Sequence, residues 1–419
     1  MDSVIIKTLP ESEIGIVVLA LLILLLAALG GSKLAACFGM PKVTGEILGG
    51  LVIGPTILGG LFPEIYAFVF HYFASEGQVL SVFYWLGLIL LMFTSGYEVD
   101  LNDLGSDSKI ITWLISGATI LPLAIGYFVS DCFFVQHYLG DAGNVPAFNI
   151  VFAIAAAVTS IPVISKIFLD LGLIKSRFAK IVLSAATMQD LFLWMLLSVA
   201  GSLIQNAEIS PAGLALHVGV TLSMFAFAMV VVPKLCTLKF LEKTAIFSYD
   251  SIYFILCFLC ICIGSYFGVN IMFSAFIAGL IFRRLRHHEA VAAQSKIKDL
   301  SLAFFTPVYF AIIGLRIHLT VDFNVMLFIV FLLTVSALEL AGSITAMRLL
   351  KMDWLTSLNF GVAMNARGGP GIVLATVTYE MGIVNYSFFC VLILTTLITS
   401  TIAGWWLGFV SKKGRLMPE

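Results

Sequence analysis

Long apolar runs dominate the chain and are separated by short polar breaks. Runs of about 18 to 28 mainly apolar residues recur from Ile14 to Val410, and about 20 such residues let a helix cross the hydrocarbon core of a bilayer. The pattern predicts an all-α polytopic protein in which residues 1–419 form a single membrane domain with about thirteen transmembrane helices. The predicted spans are residues 14–36, 41–60, 79–97, 110–134, 147–169, 178–204, 211–237, 248–266, 269–282, 300–317, 323–350, 354–381 and 386–410.

Positive charges fall almost entirely on one side of this arrangement. Of the 23 Lys and Arg residues, 19 lie at connections on the side of the predicted C-terminus, two lie on the opposite side and two lie within spans. Short cytoplasmic loops carry the excess of positive charge in membrane proteins. The distribution predicts that the N-terminus is outside and the C-terminus is inside.

Composition excludes several other classes of protein. Hydrophobic residues make up 60% of the chain and charged residues 11%, whereas soluble domains carry about 25% charged residues. The net charge of -1 gives no indication of a nucleic-acid partner. Cys257, Cys260 and Cys262 share one apolar helix without His or carboxylate companions, so we expect inert thiols, no metal beyond a transported ion, and no cofactor. The sequence shows no nucleophile paired with a base, so it does not indicate an enzyme.

Two of the predicted spans contain residues that interrupt a helix near the middle of the membrane. Either segment alone is typical of a proline kink or of small-residue packing. Together they occupy matching positions in two halves of opposite direction, which predicts an inverted repeat whose discontinuous helices cross. The predicted breaks contain Thr159, Ser160 and Pro162 in the fifth span, and Asn365, Arg367, Gly368, Gly369 and Pro370 in the twelfth.

Ionisable residues within predicted spans are candidate functional groups, because a charge in hydrocarbon is costly. Asp190 lies 13 residues after Arg177, or about 20 Å along a helix, and is preceded by Gln189. A partly desolvated carboxylate can bind either a proton or a hard cation, with Thr159 and Ser160 as further ligands; a structural carboxylate is the alternative. Glu339 lies halfway along its span, and Arg367 could compensate half-helix C-termini or pair with Glu339.

Five strings of the sequence resemble the Kef-type monovalent cation:proton antiporter family. They are TGEILGGLVIGPTILGG, FTSGYEVD, TSIPVISKIFLDLG, MQDLFLW and MNARGGPGIVLAT, and they occur in the family's order over nearly the whole chain. The resemblance implies a Na+/H+ antiporter-like fold with a dimerising scaffold and a moving core. The implied regions are scaffold 14–97 and 248–317, core 110–204 and 323–410, and linker helix 211–237.

The resemblance also implies a function and a site. The family's ion-binding Asp maps onto Asp190 and its preceding Asp, Asn or Gln onto Gln189, and the Gln is similar to members regarded as electroneutral. The implied protein is a homodimer in the plasma membrane that exchanges Na+ or K+ for H+ by elevator-like alternating access.

Two features depart from the family's pattern. Glu339 stands where many relatives carry Lys or Arg, so it is either a second titrating group or balanced by Arg367, and the nucleotide-binding domain of potassium-efflux members is not expected here. A non-exchanging channel or sensor, and an organic-solute transporter on the same fold, remain alternatives. The sequence does not distinguish Na+ from K+.

Overall fold

The computed structural model is helical throughout the part of the chain that it describes. It describes residues 8–98, 107–133, 135–205, 249–266, 271–283, 288–319 and 323–417, with isolated positions at 219, 223 and 269. Within these ranges the only extended pairing is an isolated bridge between Leu139 and Val384. The predicted all-α class is confirmed.

Eighteen α-helices are described, several of them joined end to end through short segments of other helical geometry. In chain order they are α1 (Glu11–Cys37), α2 (Lys42–Val52), α3 (Leu58–Leu61), α4 (Pro63–Phe70), α5 (Glu76–Glu98), α6 (Ser108–Ile115), α7 (Leu121–Val129), α8 (Val145–Ala157), α9 (Ile161–Asp170), α10 (Arg177–Gln205), α11 (Tyr249–Tyr266), α12 (Ile271–Arg283), α13 (His288–Leu300), α14 (Thr306–Leu315), α15 (Val325–Leu349), α16 (Trp354–Met364), α17 (Gly368–Glu380) and α18 (Tyr386–Lys412).

Within the described ranges, seven continuous helical stretches are long and apolar enough to cross a membrane. They are Glu11–Cys37, Glu76–Tyr97, Ser108–Cys132, Arg177–Ile204, Ala292–Leu315, Val325–Leu349 and Tyr386–Lys412. Shorter apolar helices account for several other predicted spans. The predicted linker helix at 211–237 lies outside the described residues, so the count of thirteen and the orientation remain predictions.

Two helices differ from the predicted spans. The second predicted span, 41–60, is not one continuous helix, because α2 ends at Val52 and is followed by the short helix α3 at Leu58–Leu61 and by α4 at Pro63–Phe70. The chain leaves the helix just before Gly54 and Pro55, and proline lacks the N–H that a helix interior requires. The tenth predicted span begins at residue 300, whereas the helix begins at His288 and continues through a π-helical segment, Ser301–Phe305.

The chain divides into two compact units. The first comprises residues 1–38, 42–90 and 300–321, and the second comprises residues 39–41, 91–299 and 322–419. In the first unit the backbones of α1 and α2 are in direct contact at Gly31 and Gly45. A Cβ on Gly31 would overlap the carbonyl of Gly45, and a Cβ on Gly45 would overlap that of Gly31. Small residues permit such close approach between membrane helices.

In the second unit, α6 continues into α7 through a π-helical segment, Ser116–Ile120, that packs against α15. Asp107 directly precedes α6, and its Oδ1 lies 2.6 Å from Nη2 of Arg177, the first residue of α10. The hydrogen bonds from Arg177 hold the pKa of the Asp107 carboxyl below its usual range. The ion pair therefore ties the beginning of α10 to the beginning of α6.

Candidate ion-binding site

The first helix break lies where the sequence predicts it. Helix α8 ends at Ala157, and α9 begins at Ile161 with Pro162 in its first turn. Ser160 is the N-cap of α9, and its Oγ accepts a hydrogen bond of 3.3 Å from the backbone N–H of Val163. The proline suits the first turn of a helix, where its missing N–H is not needed.

The second break separates α16 from α17. Helix α16 ends at Met364, and α17 begins at Gly368, whose φ of +40° lies in the region that favours glycine. Gly369 and Pro370 complete the first turn of α17, so the three predicted residues all stand at the break. The backbone N–H of Gly368 donates to Ser400 Oγ at 2.9 Å.

The two breaks are joined directly to each other. The backbone N–H of Ser160 donates to the carbonyl of Ala366 at 2.6 Å, and Thr159 Oγ1 donates to the carbonyl of Met364 at 2.5 Å. A Cβ at Gly368 would overlap the side chain of Ser160. Glycine at this position therefore allows the crossed helices to meet, as the inverted repeat predicts.

Arg367 and Glu339 form a fully buried ion pair beside this crossing. Arg367 Nη2 lies 2.8 Å from Glu339 Oε2, and the two side chains are 2% and 0% exposed. Thr159 Oγ1 also lies 3.3 Å from Glu339 Oε1. The Glu339 carboxylate is thus balanced by a guanidinium and contacted by a hydroxyl.

Arg367 also satisfies carbonyl groups at the end of α8. Its Nε donates to the carbonyl of Ala155 at 2.9 Å, and its Nη2 donates to that of Ala156 at 3.2 Å. These carbonyls belong to the last turn of α8, which lacks helical partners for them because the helix stops at Ala157. Arg367 donates in addition to Asn365 Oδ1. Arg367 therefore makes both of the contacts that the sequence left as alternatives: it pairs with Glu339, and it bonds to the C-terminal carbonyls of the half-helix α8.

Asp190 differs from Glu339 because one oxygen of its carboxylate, Oδ1, has no hydrogen-bond partner among the described residues. Asp190 is 3% exposed, and its Oδ1 is buried without a hydrogen bond to any described residue. Its neighbour Gln189 is anchored, since Nε2 donates to the carbonyls of Ala157 and, at 3.3 Å, Ala118. The Oε1 atom of Gln189 is buried and also lacks a partner. Two unpartnered oxygens therefore stand on adjacent residues of α10 beside the end of α8.

Two further hydroxyl groups near these helices were not singled out from the sequence. Thr119 Oγ1 and Ser343 Oγ are buried and make no hydrogen bond within the described residues. Thr119 follows Ala118 in the π-helical segment, and Ser343 lies one turn after Glu339 on α15. Thr and Ser are ordinary in apolar helices, and the signal that the sequence offers for Thr119 is Pro122, which lies two residues after the π-helical segment and has no N–H for the Ala118 carbonyl.

The structure places Thr159 and Ser160 at the crossing, where both hydroxyls are already hydrogen-bonded. Thr159 bonds to Met364 and Glu339, and Ser160 caps α9. Each hydroxyl oxygen can still accept or ligate through a remaining lone pair. Their role as ligands together with Asp190 stays a prediction.

The sequence and the fold are similar to those of known membrane exchangers. Residues 21–413 match the family model "Sodium/hydrogen exchanger, transmembrane". A "Na(+)/H(+)-K(+) antiporter GerN" of Bacillus cereus is 26% identical over 91% of this chain and 92% of its own length. A "Na(+)/H(+) antiporter" of Enterococcus hirae is 26% identical over 94% of this chain and 97% of its own.

Another relative, "K(+)/H(+) antiporter 1" of Saccharomyces cerevisiae, is 29% identical over 86% of this chain but only 42% of its own length. The chain likewise spans under half of two similar cation/H+ antiporters of Arabidopsis thaliana, numbers 18 and 17.

The solved structure of the sodium proton antiporter MjNhaP1 from Methanocaldococcus jannaschii has the same fold. The two align with a TM-score of 0.66 over 96% of this chain and 98% of the other, at 17% sequence identity. The family match covers most of the chain and confirms the resemblance that the five sequence strings indicate. Members of this family are transporters and not enzymes. The chain is a multi-pass membrane protein that belongs to the sodium/hydrogen exchanger family.

Proposed function

We propose that the protein exchanges a monovalent cation, Na+ or K+, for protons, and that cation and proton compete for Asp190. The observation that carries this proposal is the contrast between two buried carboxylates. Glu339 is neutralised by Arg367 at 2.8 Å, whereas Asp190 Oδ1 has no hydrogen-bond partner in the part of the chain that the structure describes. A buried carboxylate without a counter-charge is strongly disfavoured, so Asp190 is stable when it holds a proton or a cation.

The exchange follows from this single requirement. A proton and a hard monovalent cation both bind carboxylate oxygen, so occupancy by one excludes the other. If the site opens to one side of the membrane at a time, each arriving cation displaces a proton and each arriving proton displaces a cation. The names of similar proteins, which include Na+/H+ and K+/H+ antiporters, support the same pair of substrates.

The ligand shell that we propose combines Asp190 with neighbouring oxygens. Gln189 Oε1 and Thr119 Oγ1 are buried without partners, and the site is completed by hydroxyl or carbonyl oxygens of the break at Thr159 and Ser160. Oxygen ligands of this kind replace the hydration shell of a cation as it enters the membrane. Asp190 is the one member of this set that can carry a charge.

The charge count supports an electroneutral exchange. Glu339 and Arg367 cancel each other, so the occupancy of Asp190 alone sets the charge of the site. One cation then replaces one proton, and the membrane potential does not drive the cycle. This reading assigns Glu339 to charge balance and not to a second titration.

Alternating access is proposed to be elevator-like. The crossed breaks, Asp190 and the ion pair all lie within residues 110–204 and 323–410, and these residues belong to one compact unit, which also contains residues 91–97 and 248–299 of the proposed scaffold. We propose that residues 110–204 and 323–410 form the moving core. Residues 14–97 and 248–317 would form the scaffold of a homodimer in the plasma membrane.

The test is cation-driven proton movement in proteoliposomes, measured with a pH-sensitive dye in Na+ and in K+ gradients. We expect exchange in the wild type, unchanged when the membrane potential is clamped, and at least about a hundred-fold loss in Asp190→Asn, which removes the only exchangeable charge of the site. Asp141→Asn, the same change at an exposed loop residue, is the control.

Wild-type exchange that survives in Asp190→Asn would refute the assignment of Asp190. Exchange that depends on the clamp would refute one-for-one stoichiometry and return Glu339 as a titrating group. No exchange with either cation would refute antiport and favour a channel, a sensor or an organic-solute transporter.

A further inference from the structure

A buried carboxyl group in the first unit takes no part in the exchange site proposed above. Glu46, in α2, is 7% exposed, and its Oε2 is buried without a hydrogen-bond partner among the described residues. An ionised carboxylate in such a place is strongly disfavoured unless a counter-charge and hydrogen bonds compensate it. The surroundings of Glu46 therefore decide which form of the carboxyl the fold accepts.

Helix α2 packs against α1 and against α14, and these two helices also contact each other. A Cβ on Gly49 would overlap the carbonyl of Ala27 in α1, and a Cβ on Gly50 would overlap that of Ala311 in α14. Gly49 thus faces α1, and Gly50 faces α14. The backbone of α2 is in direct contact with the backbones of both neighbours.

Helix geometry places Glu46 between these two contacts. Successive residues are rotated by about 100° at 3.6 residues per turn, so Glu46 lies about 60° from Gly49 and about 40° from Gly50 around α2. Its side chain therefore points into the groove where α1 and α14 meet, in agreement with its burial. The close contact of the helices leaves little access for the water that an ionised carboxylate requires.

The level of Glu46 along α14 follows from two glycines of α2. A Cβ on Gly50 would meet Ala311, and one on Gly54 would meet Leu315, so the two helices run parallel. Glu46 lies one turn before Gly50 and is level with the first turn of α14.

The charged side chains of α1 do not face Glu46. Lys33 is exposed and follows Gly31 by two residues, which turns it about 200° away from the side of α1 that contacts α2. Glu11 and Glu13 lie at the other end of α1, at least about 27 Å along the helix from Gly31.

The ionisable groups of α14 and α2 do not compensate Glu46 either. Tyr309 is the ionisable residue of α14, and its ring lies 5.3 Å from that of Tyr84 in α5. Arg316 follows the far end of α14 and lies 5.5 Å from the centre of the same Tyr84 ring. Lys42, one turn before Glu46 on α2, is exposed. No described charge is therefore buried together with Glu46.

We propose that Glu46 is a second proton-binding group, protonated while α1, α2 and α14 are packed together and ionised when these helices separate. A proton is the ligand that suits this groove, because a metal cation needs several oxygen ligands and the flanking α2 residues Gly45, Gly49 and Gly50 supply no side-chain oxygen. Loss of the proton in alkaline solution leaves a charge that draws water into the groove. The first unit thereby responds to pH independently of the competition at Asp190.

Infrared spectroscopy of purified protein carrying Asp190→Asn tests proton binding directly. Exposed carboxyl groups are already ionised at neutral pH, so the stretching band of a protonated carboxyl then reports buried groups. We expect a band that is present at neutral pH, is lost in alkaline buffer and is removed by adding Glu46→Gln. Glu64→Gln, the same change at an exposed residue of α4, is the matched control and should retain the band.

The infrared result is independent of the proposed function. A band that Glu46→Gln removes would support the proton site even if proteoliposomes showed no exchange. A spectrum that Glu46→Gln leaves unchanged would overturn the proposal even if exchange at Asp190 were demonstrated.

The consequence for transport rests on the proposed exchange and is measured as the ratio of the rate in Glu46→Gln to the rate in the wild type. Competition at Asp190 affects both proteins equally and cancels in this ratio. Since ionisation loosens the packing of the wild type alone, the ratio should rise at least about three-fold from neutral to alkaline buffer. A ratio that stays constant with pH would overturn the link between Glu46 and transport.

Discussion

Two carboxylates at the centre of the second unit meet the cost of burial in different ways. Glu339 has a guanidinium at 2.8 Å and the Thr159 hydroxyl at 3.3 Å, whereas Asp190 Oδ1 has no hydrogen-bond partner among the residues that the structure describes. A permanently paired carboxylate is a poor binding place for an ion, because the ion would have to displace Arg367. Residue type alone would give Asp and Glu equal standing, and the difference comes from their partners.

Replacing Arg367 should lower the stability of the protein more than replacing Glu339. Arg367→Met removes the guanidinium from Glu339 and also from the carbonyls of Ala155 and Ala156, while Glu339→Gln leaves Arg367 with its carbonyl partners. Breaking a buried pair costs about 3 to 5 kcal/mol, and we expect Arg367→Met at the upper end and Glu339→Gln at the lower.

The unfolding midpoint of purified protein in detergent measures this order. Arg177→Met is the control, since Arg177 is 56% exposed in its pair with Asp107 and a surface pair contributes about 1 kcal/mol or less. Equal losses for the two buried variants would mean that the carbonyl contacts of Arg367 add nothing.

Among the elements, the crossed helices depend on the backbone at Gly368 more than on any helix propensity. Gly368 has φ of +40°, and a Cβ there would overlap Ser160 and Val163. The next residue, Gly369, has no atom within 4 Å of a Cβ. Of these two adjacent glycines, only Gly368 is required by its backbone conformation and by the space around it.

We expect Gly368→Ala to destabilise the protein by at least about 1 to 2 kcal/mol from the left-handed backbone alone, with further loss from the overlap. Cation-driven exchange should fall with it, because the crossing positions the site. Gly369→Ala is the matched control and should keep near wild-type stability and exchange. Exchange and an unfolding midpoint unchanged in Gly368→Ala would contradict this account of the crossing.

The sequence predicted the helix breaks because proline and glycine act locally. Pro162 and the run from Gly368 to Pro370 interrupt helices wherever they occur in a span. The π-helical segments at Ser116–Ile120 and Ser301–Phe305 were not predicted, since Pro122 and Pro307, which follow them by two residues, alter the helix there without ending it. Thr119 was missed for the same reason. The end of α2 at Val52 was missed because the apolar run continues past Gly54 and Pro55.

At the scale of the whole molecule, apolar runs and charge placement predicted the class and an orientation. The all-α class and the antiporter-like fold are confirmed, whereas the sidedness remains a prediction. The division into units was not readable from the spans, since it depends on contacts between helices far apart in the chain. Residues 248–299, for instance, which the resemblance groups with residues 14–97, belong by their contacts to the unit that contains Asp190.

Two native cysteines can report the orientation. Cys37 ends α1 and Cys132 follows α7, both are exposed, and the predicted topology places them on opposite sides. In variants that retain one of these cysteines and replace the other six of the seven, a membrane-impermeant maleimide should label Cys132 in right-side-out vesicles and Cys37 in everted ones. The reverse pattern would invert the topology.

The hydrogen bond that joins the two breaks runs from one backbone to the other. The N–H of Ser160 and the carbonyl of Ala366 are present whatever side chains stand at these positions, proline at 160 excepted. The side chains at positions 160 and 366 can therefore change over long lineages without cutting this link, provided that glycine remains at 368. A contact between main-chain atoms does not depend on side-chain identity, which gives one physical reason why this chain and MjNhaP1 share a fold at 17% identity.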